Sequence, residues 1–336
     1  MTSLSELKNF LSLPKNITIT AHRNPDGDAV GASLALAHYL KKQNHDVSVV
    51  LPSEYPESLF WMKGIHDILV YDTEEKQALD KIERAELFFC LDFNSLDRID
   101  KAGEAMLKNK NAKIVTIDHH LYPEGFSDLL ISDPQASSTC EMIYTFITDL
   151  GDADLIDHTI GDCLYTGILT DTGSFKYSTS SRLFRVVADL LDRGVDDYHL
   201  QNLIFNSMTE KQLRLLGHCL NNRMEIIPEY STGIITLTKE DYANFDIKRG
   251  DTEGIINNLL RLKEVDVAAF IMEQPTIVKI SLRSKDDISV QELAQKHFRG
   301  GGHKNAAGGA SFHNLTATVN KFKEILPLYF QKKTFH

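Results

Sequence analysis

Short apolar runs alternate with longer helical patterns through the first half of the chain. The runs with the strongest β-favouring character occupy positions 16–22, 47–51, 68–71, 87–92 and 113–118. Several of them lack polar residues at alternate positions, which is typical of strands covered by helices on both faces. The pattern therefore predicts an α/β fold whose first domain contains a parallel sheet with helices on both faces.

Helical patterns continue beyond these runs and then give way to a different order of elements. Helices are predicted at 137–151, 152–173 and 180–194. From Met224 the pattern predicts a hairpin, a helix, two strands, a glycine-rich loop and a last helix, at 224–238, 252–265, 267–284, 299–309 and from Leu315. This order is typical of a smaller mixed α/β domain.

The change of pattern divides the chain into three regions. We predict a first domain at 1–184, a helical linker at 185–224 and the smaller domain at 225–336. The linker assignment depends on the helical pattern that persists to residue 224 while the residues become more polar.

Composition narrows the class of protein. The chain has 336 residues, of which 42% are hydrophobic and 25% charged, an ordinary globular balance. No apolar stretch approaches the ~18 residues that cross a bilayer, and the amino terminus lacks a signal-peptide pattern, so we expect a cytoplasmic protein without membrane contact. Four widely spaced cysteines are expected to be reduced and buried.

The net charge of −11 argues against a broad basic surface that grips long duplex nucleic acid. It leaves room for a small anionic ligand, because divalent metal ions reverse the local field of an acidic cleft.

Acidic and histidine residues follow several of the predicted strands. Ligands of parallel α/β sheets bind outside the carboxyl ends of the strands, so we expect these side chains to lie together. They are His22, Asp26 and Asp28 after the first strand, Asp92, the run Asp118-His119-His120, and Asp171 at the end of a helical run.

Each of these residues also has a structural interpretation. Asp28 could cap the helix that starts near Ala29, and Asp26 with Gly27 is a common turn pair. Taken together, however, the carboxylates are crowded with few basic residues nearby, and divalent metal would relieve their repulsion. The Asp and His donors favour Mn²⁺, with Mg²⁺, Co²⁺ or Zn²⁺ as alternatives, and two such ions suit phosphate ester hydrolysis.

The motifs resemble those of the DHH phosphoesterase superfamily. The segments "AHRNPDGDAVGA", "LDFNSLDRI", "TIDHH" and "TGILTDTGSF" occur in the family's order, and "GGGHKNAAGG" resembles the DHH-associated domain. The resemblance covers nearly the whole chain, and the length is most similar to the bacterial nanoRNase and pAp phosphatase branch. It implies a metal-binding catalytic domain followed by a substrate-binding domain.

The resemblance also implies roles for individual residues. One ion would be bound by His22, Asp26 and Asp92, and a second by Asp28, Asp92, His119 and Asp171, with Asp92 shared. His120 would act on the substrate phosphate or leaving oxygen, and Asp118 would orient its neighbours. The family often has Asn where this chain has Arg23, which we expect to alter the electrostatics at the mouth of the site.

The glycine-rich segment supplies the candidate substrate contacts. Glycines allow the backbone to approach a phosphate closely, and nearby cationic side chains would pair with it. The candidates are Arg283, Gly301, Gly302, His303 and Lys304.

The resulting hypothesis is a phosphoesterase with two metal ions that hydrolyses short RNA oligonucleotides to mononucleotides and 3'-phosphoadenosine 5'-phosphate (pAp) to AMP. Alternatives are a linear dinucleotide phosphodiesterase in cyclic-dinucleotide turnover, a pyrophosphatase, a nucleotide sensor without turnover, and a structural protein with scattered acids. Oligomeric state stays open, with a homodimer among the possibilities.

Overall fold

The computed structural model describes residues 2–248 and 250–330, which form two compact units divided between Ser207 and Met208. The linker predicted at 185–224 contains helices of both units. The predicted domain limits therefore stay a prediction, and each unit is described by itself.

The first unit contains a six-stranded sheet and eight α-helices among its described residues. Its elements are α1 Leu4–Phe10, β1 Asn16–Ala21, α2 Gly27–Lys42, β2 Asp46–Leu51, β3 Leu69–Val70, α3 Tyr71–Arg84, β4 Leu87–Leu91, α4 Asp100–Lys108, β5 Lys113–Asp118, β6 Leu129–Ser132, α5 Thr139–Asp149, α6 His158–Thr172, α7 Ser181–Asp192 and α8 Asp197–Phe205. The strand order is β3-β2-β1-β4-β5-β6, and every pairing is parallel. The predicted parallel α/β fold is confirmed.

Alternate residues of the central strands enter two different cores. In β4, Leu87, Phe89 and Leu91 pack with α2, α5 and α6, whereas Phe88 and Cys90 pack with α3 and α4. Because both faces are covered, neither set of positions is polar, and the strand reads as one apolar run. The parallel pairing of β4 with β1 and β5 places the carboxyl ends of all three strands at one edge of the sheet.

The second unit contains another six-stranded sheet with helices on both faces. Its elements are α9 Glu210–Asn222, β7 Met224–Ile227, β8 Thr232–Leu237, α10 Lys239–Asn244, a 3-10 helix at Ile255–Arg261, β9 Val267–Glu273, β10 Val278–Ser284, α11 Gln291–Phe298, β11 Gly301–His303, β12 Ala306–Ser311 and α12 Leu315–Tyr329. The order is β11-β12-β10-β9-β8-β7, with only β8 and β9 parallel.

Four local predictions need correction. The strand expected at 68–71 is only Leu69–Val70, because α3 begins at Tyr71. The helix expected at 252–265 is a 3-10 helix at Ile255–Arg261. The helix expected from 152 begins at His158, and the glycine-rich loop at 299–309 is a hairpin of β11 and β12.

Close contact between α2 and α6 depends on two glycines. A Cβ atom added to Gly31 would lie 2.5 Å from the backbone oxygen of Cys163, and one added to Gly167 would lie 2.7 Å from the Asp28 carboxylate. Both distances are shorter than van der Waals contact. The two helices therefore approach through surfaces that carry no side chain.

We predict that Gly31→Ala destabilises the protein by about 1–3 kcal/mol, because the added methyl group meets backbone that cannot rotate away. Urea denaturation would measure the change. The control is Gly217→Ala in α9, where an added Cβ meets nothing within 4 Å. We expect that substitution to stabilise its helix by about 0.5–1 kcal/mol. A neutral Gly31→Ala variant would contradict the packing argument.

Candidate metal centre

Three overlapping groups of acidic and histidine side chains lie at the carboxyl edge of the first sheet. In each group the potential ligand atoms lie within 4.8 Å of one another. The groups are His22 with Asp26 and Asp92, Asp28 with His119 and Asp171, and Asp92 with His119 and His120. The structure thus brings together the residues that were singled out in the sequence on this unit.

His22 is positioned by the end of β1. Its Nδ1 lies 2.9 Å from the backbone oxygen of Arg23, which accepts a hydrogen bond from it. The other ring nitrogen, Nε2, lies 3.4 Å from Asp92 Oδ2 and 3.9 Å from Asp26 Oδ1. The imidazole therefore presents one nitrogen to two carboxylates.

His119, which follows β5 on the other side of β4, has the same arrangement. Its Nδ1 lies 3.4 Å from the Ala136 oxygen. Its Nε2 faces three carboxylates, at 3.4 Å from Asp171 Oδ2, 3.5 Å from Asp92 Oδ1 and 3.9 Å from Asp28 Oδ2. Asp92 is therefore the carboxylate that both histidines share, with one oxygen near each.

His120 points its Nδ1 at Asp118, with 2.7 Å to Oδ1. The same nitrogen lies 3.7 Å from Asp92 Oδ1. Asp118 is fully buried, and its second oxygen has no hydrogen-bond partner among the described residues. A buried carboxylate beside the imidazole fixes the tautomer with the proton on Nδ1 and leaves Nε2 as the other functional nitrogen.

Asp28 is not the cap of its own helix. The side chain of Asp26 caps α2 by accepting hydrogen bonds from the backbone N–H groups of Asp28 and Ala29. Asp28 instead accepts from the first turn of α5, at 2.6 Å from Thr139 N and 2.8 Å from Cys140 N. The free N–H groups and the dipole of that helix end stabilise its negative charge.

Thr139 is a residue that the sequence analysis missed. Its hydroxyl lies 3.1 Å from Asp92 Oδ1, while its backbone N–H donates to Asp28. A single residue therefore contacts two of the candidate metal ligands. The signal available in the sequence was the run "SST" at a predicted helix start, but the contacts join residues far apart along the chain.

Asp92 adopts an unusual backbone conformation. Its φ angle is +63°, in the left-handed region that non-glycine residues rarely occupy. The backbone N–H donates to the Ile117 oxygen, which holds the residue against β5. Such conformations concentrate at functional sites, where the surrounding structure maintains them.

Burial and mutual repulsion shift the carboxylates in different directions. Burial and the charge of Asp92 raise the pKa of Asp28 to about 7. Burial and the charge of Asp28 raise the pKa of Asp171 well above its usual range. Burial also acts on Asp92, but hydrogen bonds from His119 and His22 outweigh it and lower its pKa.

His22 and His119 are shifted towards the charged form. Burial lowers the pKa of His22, but its hydrogen bond with Asp92 and the charge of Asp92 raise the pKa to about 9. Burial also lowers the pKa of His119, but its hydrogen bond with Asp92 and the charge of Asp92 raise the pKa to about 10. The site therefore favours positive charge. Among the described residues, no lysine or arginine forms an ion pair with these carboxylates.

The donor set fits divalent metal. Carboxylate oxygens and imidazole nitrogens without thiolate suit hard or borderline ions. His22 and His119 each donate a hydrogen bond from Nδ1 to a backbone carbonyl. Hydrogen bonds of this kind orient the histidines that bind metal ions in proteins. A buried cluster of acidic and histidine side chains thus forms a site that can hold metal.

Arg23 does not leave a free positive charge at the mouth of this site. Its guanidinium makes two hydrogen bonds to Asp72, at 2.6 and 2.9 Å, and an ion pair with Asp100. The expected change in electrostatics is therefore offset by two carboxylates on neighbouring helices.

The candidate substrate residues of the second unit lie on β10 and the β11–β12 hairpin. Arg283 is opposite Ala306, and His303 is opposite Ala306 from the other side. Directly opposed residues share a face of an antiparallel sheet. Arg283 and His303 therefore flank a small residue on one face of the sheet.

The remaining candidate substrate residues lie in β11 and in the hairpin turn that follows it. Gly301 and Gly302 form β11 with His303, opposite Gly308 and Ala307. Lys304 lies in the hairpin turn, and its Nζ is paired with Asp287 at 2.6 Å. The predicted phosphate loop is thus a small-residue hairpin bordered by cationic side chains.

Comparison with known protein families matches two separate parts of the chain. The "DHH family, N-terminal domain" matches residues 16–168, and the "DHHA1 domain" matches residues 234–329. The chain belongs to the DHH family. The resemblance found in its motifs is confirmed, and the centre described above lies within the matched DHH domain and its continuation in α6.

Three relatives illustrate the range of this family. A probable bifunctional oligoribonuclease and PAP phosphatase NrnA from Streptococcus mutans is 28% identical, over 97% of this chain and 98% of its own. The cyclic-di-AMP phosphodiesterase GdpP of Bacillus subtilis is 25% identical over 97% of this chain, which spans 49% of that protein. The crystal structure of an exopolyphosphatase-related protein from Bacteroides fragilis is 37% identical and superposes with a TM-score of 0.94, covering 97% of this chain and 96% of that one.

Among the described residues, no helix combines the length and the apolar character that crossing a bilayer requires.

We predict that Mn²⁺ stabilises the protein through this cluster. Saturation to 100 times Kd contributes about 2.7 kcal/mol for one site, which corresponds to roughly 5–10 °C in Tm. The Asp92→Asn variant should lose most of the rise, because His22 and His119 both face that carboxylate. Differential scanning calorimetry with and without metal measures the effect. The control is Asp97→Asn, which changes an exposed carboxylate a few residues further along the chain. An equal rise in Tm with Mn²⁺ in the two variants would contradict the site.

We predict that Thr139→Val weakens metal binding about 10–100-fold, the usual effect of removing a hydrogen bond to a ligand. The valine keeps the shape and the backbone N–H to Asp28 but loses the hydroxyl that contacts Asp92. Titration calorimetry with Mn²⁺ measures the affinity directly. Thr139→Ser retains the hydroxyl and should bind within about threefold of wild type, whereas equal affinities for the valine and serine variants would show that the contact has no role.

Proposed function

We propose that the protein is a metal-dependent phosphoesterase that hydrolyses short RNA oligonucleotides to mononucleotides and pAp to AMP. The observation that carries the proposal is the shared position of Asp92 between His22 and His119. The likeness to the NrnA protein along both chains supports the substrate class. Arg283 and His303, which lie on one face of the second sheet, support recognition of a phosphate.

The metal ligands in this proposal are His22, Asp26, Asp28, Asp92, His119 and Asp171. Two divalent ions, Mn²⁺ foremost, would supply Lewis acidity to the phosphoryl oxygens and activate water when bound. The role of the protein is to hold these side chains in place before substrate arrives. Asp28 is fixed by α5, and Asp92 by the Thr139 hydroxyl and the two histidines.

His120 acts on the leaving group. Asp118 accepts a hydrogen bond from Nδ1, so the protonated imidazole carries its second proton on Nε2. From that nitrogen the proton passes to the leaving oxygen as the ester bond breaks. Asp118 orients the ring and stabilises its positive charge without taking part in the bond change.

Substrate phosphate is bound by Arg283, Gly301, Gly302, His303 and Lys304. Arg283 presents a fork of donors that suits a phosphate group, and His303 adds a second contact across Ala306. The overall charge of −11 disfavours long polyanions, because their other phosphates would lie along an acidic surface. Selection of short substrates follows from that balance.

A linear dinucleotide phosphodiesterase is the second candidate. The likeness to GdpP, which extends over nearly all of this chain, favours it. The same side chains would serve either reaction, so the relative rates on different substrates distinguish the two candidates.

We predict that the Mn²⁺-loaded enzyme hydrolyses pAp and di- to tetraribonucleotides with a kcat/KM at least 10-fold above that for a 24-nucleotide RNA. Asp92→Asn should lower kcat at least 1000-fold on all substrates, because it alters the carboxylate that lies between His22 and His119 and that the two proposed metal ions would share. Product release from pAp, linear pApA and pGpG, RNA of both lengths, cyclic dinucleotide and pyrophosphate would be compared by chromatography.

Two variants sharpen this comparison. Arg283→Gln should raise KM while leaving the Mn²⁺ affinity of the first unit unchanged, and Lys279→Gln on the same strand is its control. Preference for pApA and pGpG over pAp and other short RNA would favour the second candidate. Equal rates on the 24-nucleotide RNA and the dinucleotides would overturn the selection of short substrates.

A further inference from the structure

A cavity of about 570 Å³ lies at the other end of α2 from the metal ligands. Its walls come from α2, from β2, from the segment 64–69 and from α3. Aliphatic side chains form part of the lining, namely Leu34, Ala37, Val47, Val49, Ile68 and Leu69. The volume lies in the range of small-molecule sites, and the apolar surface would accept a flat organic group.

The edge of β2 opens into this cavity because β3 is short. β3 pairs only with Val50 and Leu51, so no strand covers the outer edge at Val47–Val49. The backbone N–H of Asp46 donates to the backbone oxygen of Lys15, on the side of β2 that faces β1. Successive N–H groups of a strand point to alternate sides, so those of Val47 and Val49 point outward, away from β1. Peptide groups at such an edge are ready donors and acceptors for a ligand.

Lysines border the cavity from both helices. Lys41 at the end of α2 and Lys76 in α3 form no ion pair with the described residues. Lys81 approaches Asp46 only at 4.0 Å. Of the two carboxylates in the lining, Asp80 is paired with Arg84, which leaves Asp67 as the opposing charge. Positive charge therefore gathers here on a chain whose net charge is −11.

A second cavity of about 290 Å³ adjoins the first through His38 and Lys41, and Lys63 lies in its wall. The His38 ring hydrogen-bonds with the backbone oxygen of Lys63. Burial, followed by the charges of Lys41 and Lys63, lowers the pKa of His38. Burial is the main cause of the shift and the lysine charges add to it, whereas the charge of Asp157, which lies in the same wall and is paired with Lys42, acts in the opposite direction. A bound anion would offset the charges of Lys41 and Lys63.

This place is well separated from the metal centre. Asp28 and Lys41 are 13 residues apart on α2, which corresponds to about 20 Å along the helix. The cavity also lies near the beginning of β2, whereas the metal ligands follow the carboxyl ends of the strands. A ligand bound here would not contact the metal ligands.

We propose that this cavity binds a nucleoside phosphate at a second site, independent of the proposed hydrolysis. The base lies on the aliphatic wall and hydrogen-bonds with the open edge of β2. The phosphates lie between Lys41, Lys76 and Lys63. Each part of the ligand thus meets a surface of matching chemistry: apolar wall, peptide edge and lysine charge.

The test is titration calorimetry on the full chain with chelator present, using ATP, adenosine and inorganic tripolyphosphate as probes. We expect ATP to bind at least 10-fold more tightly than either fragment. Lys41→Gln/Lys76→Gln should weaken ATP binding at least 10-fold while leaving Tm and pAp hydrolysis unchanged. The matched control is Lys101→Gln/Lys108→Gln, which removes the same charge from exposed positions of α4 in the same unit.

Three outcomes would overturn the proposal. Undetectable ATP binding at millimolar concentration would exclude the site. ATP affinity that survives Lys41→Gln/Lys76→Gln, or falls equally in the α4 control, would place binding elsewhere. Tripolyphosphate that binds as tightly as ATP would remove the nucleoside from the assignment. Because binding is measured without metal, failure of the proposed hydrolysis would not alter any of these readings.

Discussion

The hydrogen bonds from the first turn of α5 to the buried carboxylate of Asp28 are the contact on which the metal centre depends. A fully buried carboxylate is costly unless its oxygens are satisfied, and here each oxygen accepts a backbone N–H. The contact requires α2, α5 and α6 to meet closely, which explains the bare helix surfaces at Gly31 and Gly167. Stability and function are therefore coupled at one residue, since the group that holds three helices together is also a candidate ligand.

The rest of the centre follows from sheet geometry. Parallel strands have their carboxyl ends at a common edge, and the residues just beyond that edge escape the requirement to be apolar that burial on both faces imposes on the strands. Asp92 occupies such a position with a left-handed backbone, which turns its carboxylate back between the two histidines. The cluster is thus assembled by backbone direction, and its side chains need no ion pairs with lysine or arginine to be placed.

Much of this arrangement could be predicted from the sequence, for identifiable reasons. The parallel sheet was predictable because doubly buried strands leave uninterrupted apolar runs, and the grouping of acids followed from where those runs end. β6 was missed because Leu129–Ser132 has only four residues, which alternate between half-buried and exposed positions, so that its apolar run is much shorter than those of the central strands. The 299–309 hairpin was mistaken for a loop because glycine and alanine are common to both. The roles of Asp28 and Thr139 depend on contacts across about 110 residues, which no local pattern records.

The distribution of the metal-binding side chains along the chain has a consequence for folding. The candidate ligands extend from His22 to Asp171, and they meet only when β1, β4, β5 and α6 are all in place. Parallel strands require long crossover connections, so these contacts form late compared with local helices and turns. During synthesis, a chain that has not yet extended past α6 has no complete cluster. The full ligand set would therefore be assembled only after α6 has packed against the sheet, so that its occupation by metal would report the folding of β1, β4, β5 and α6 together.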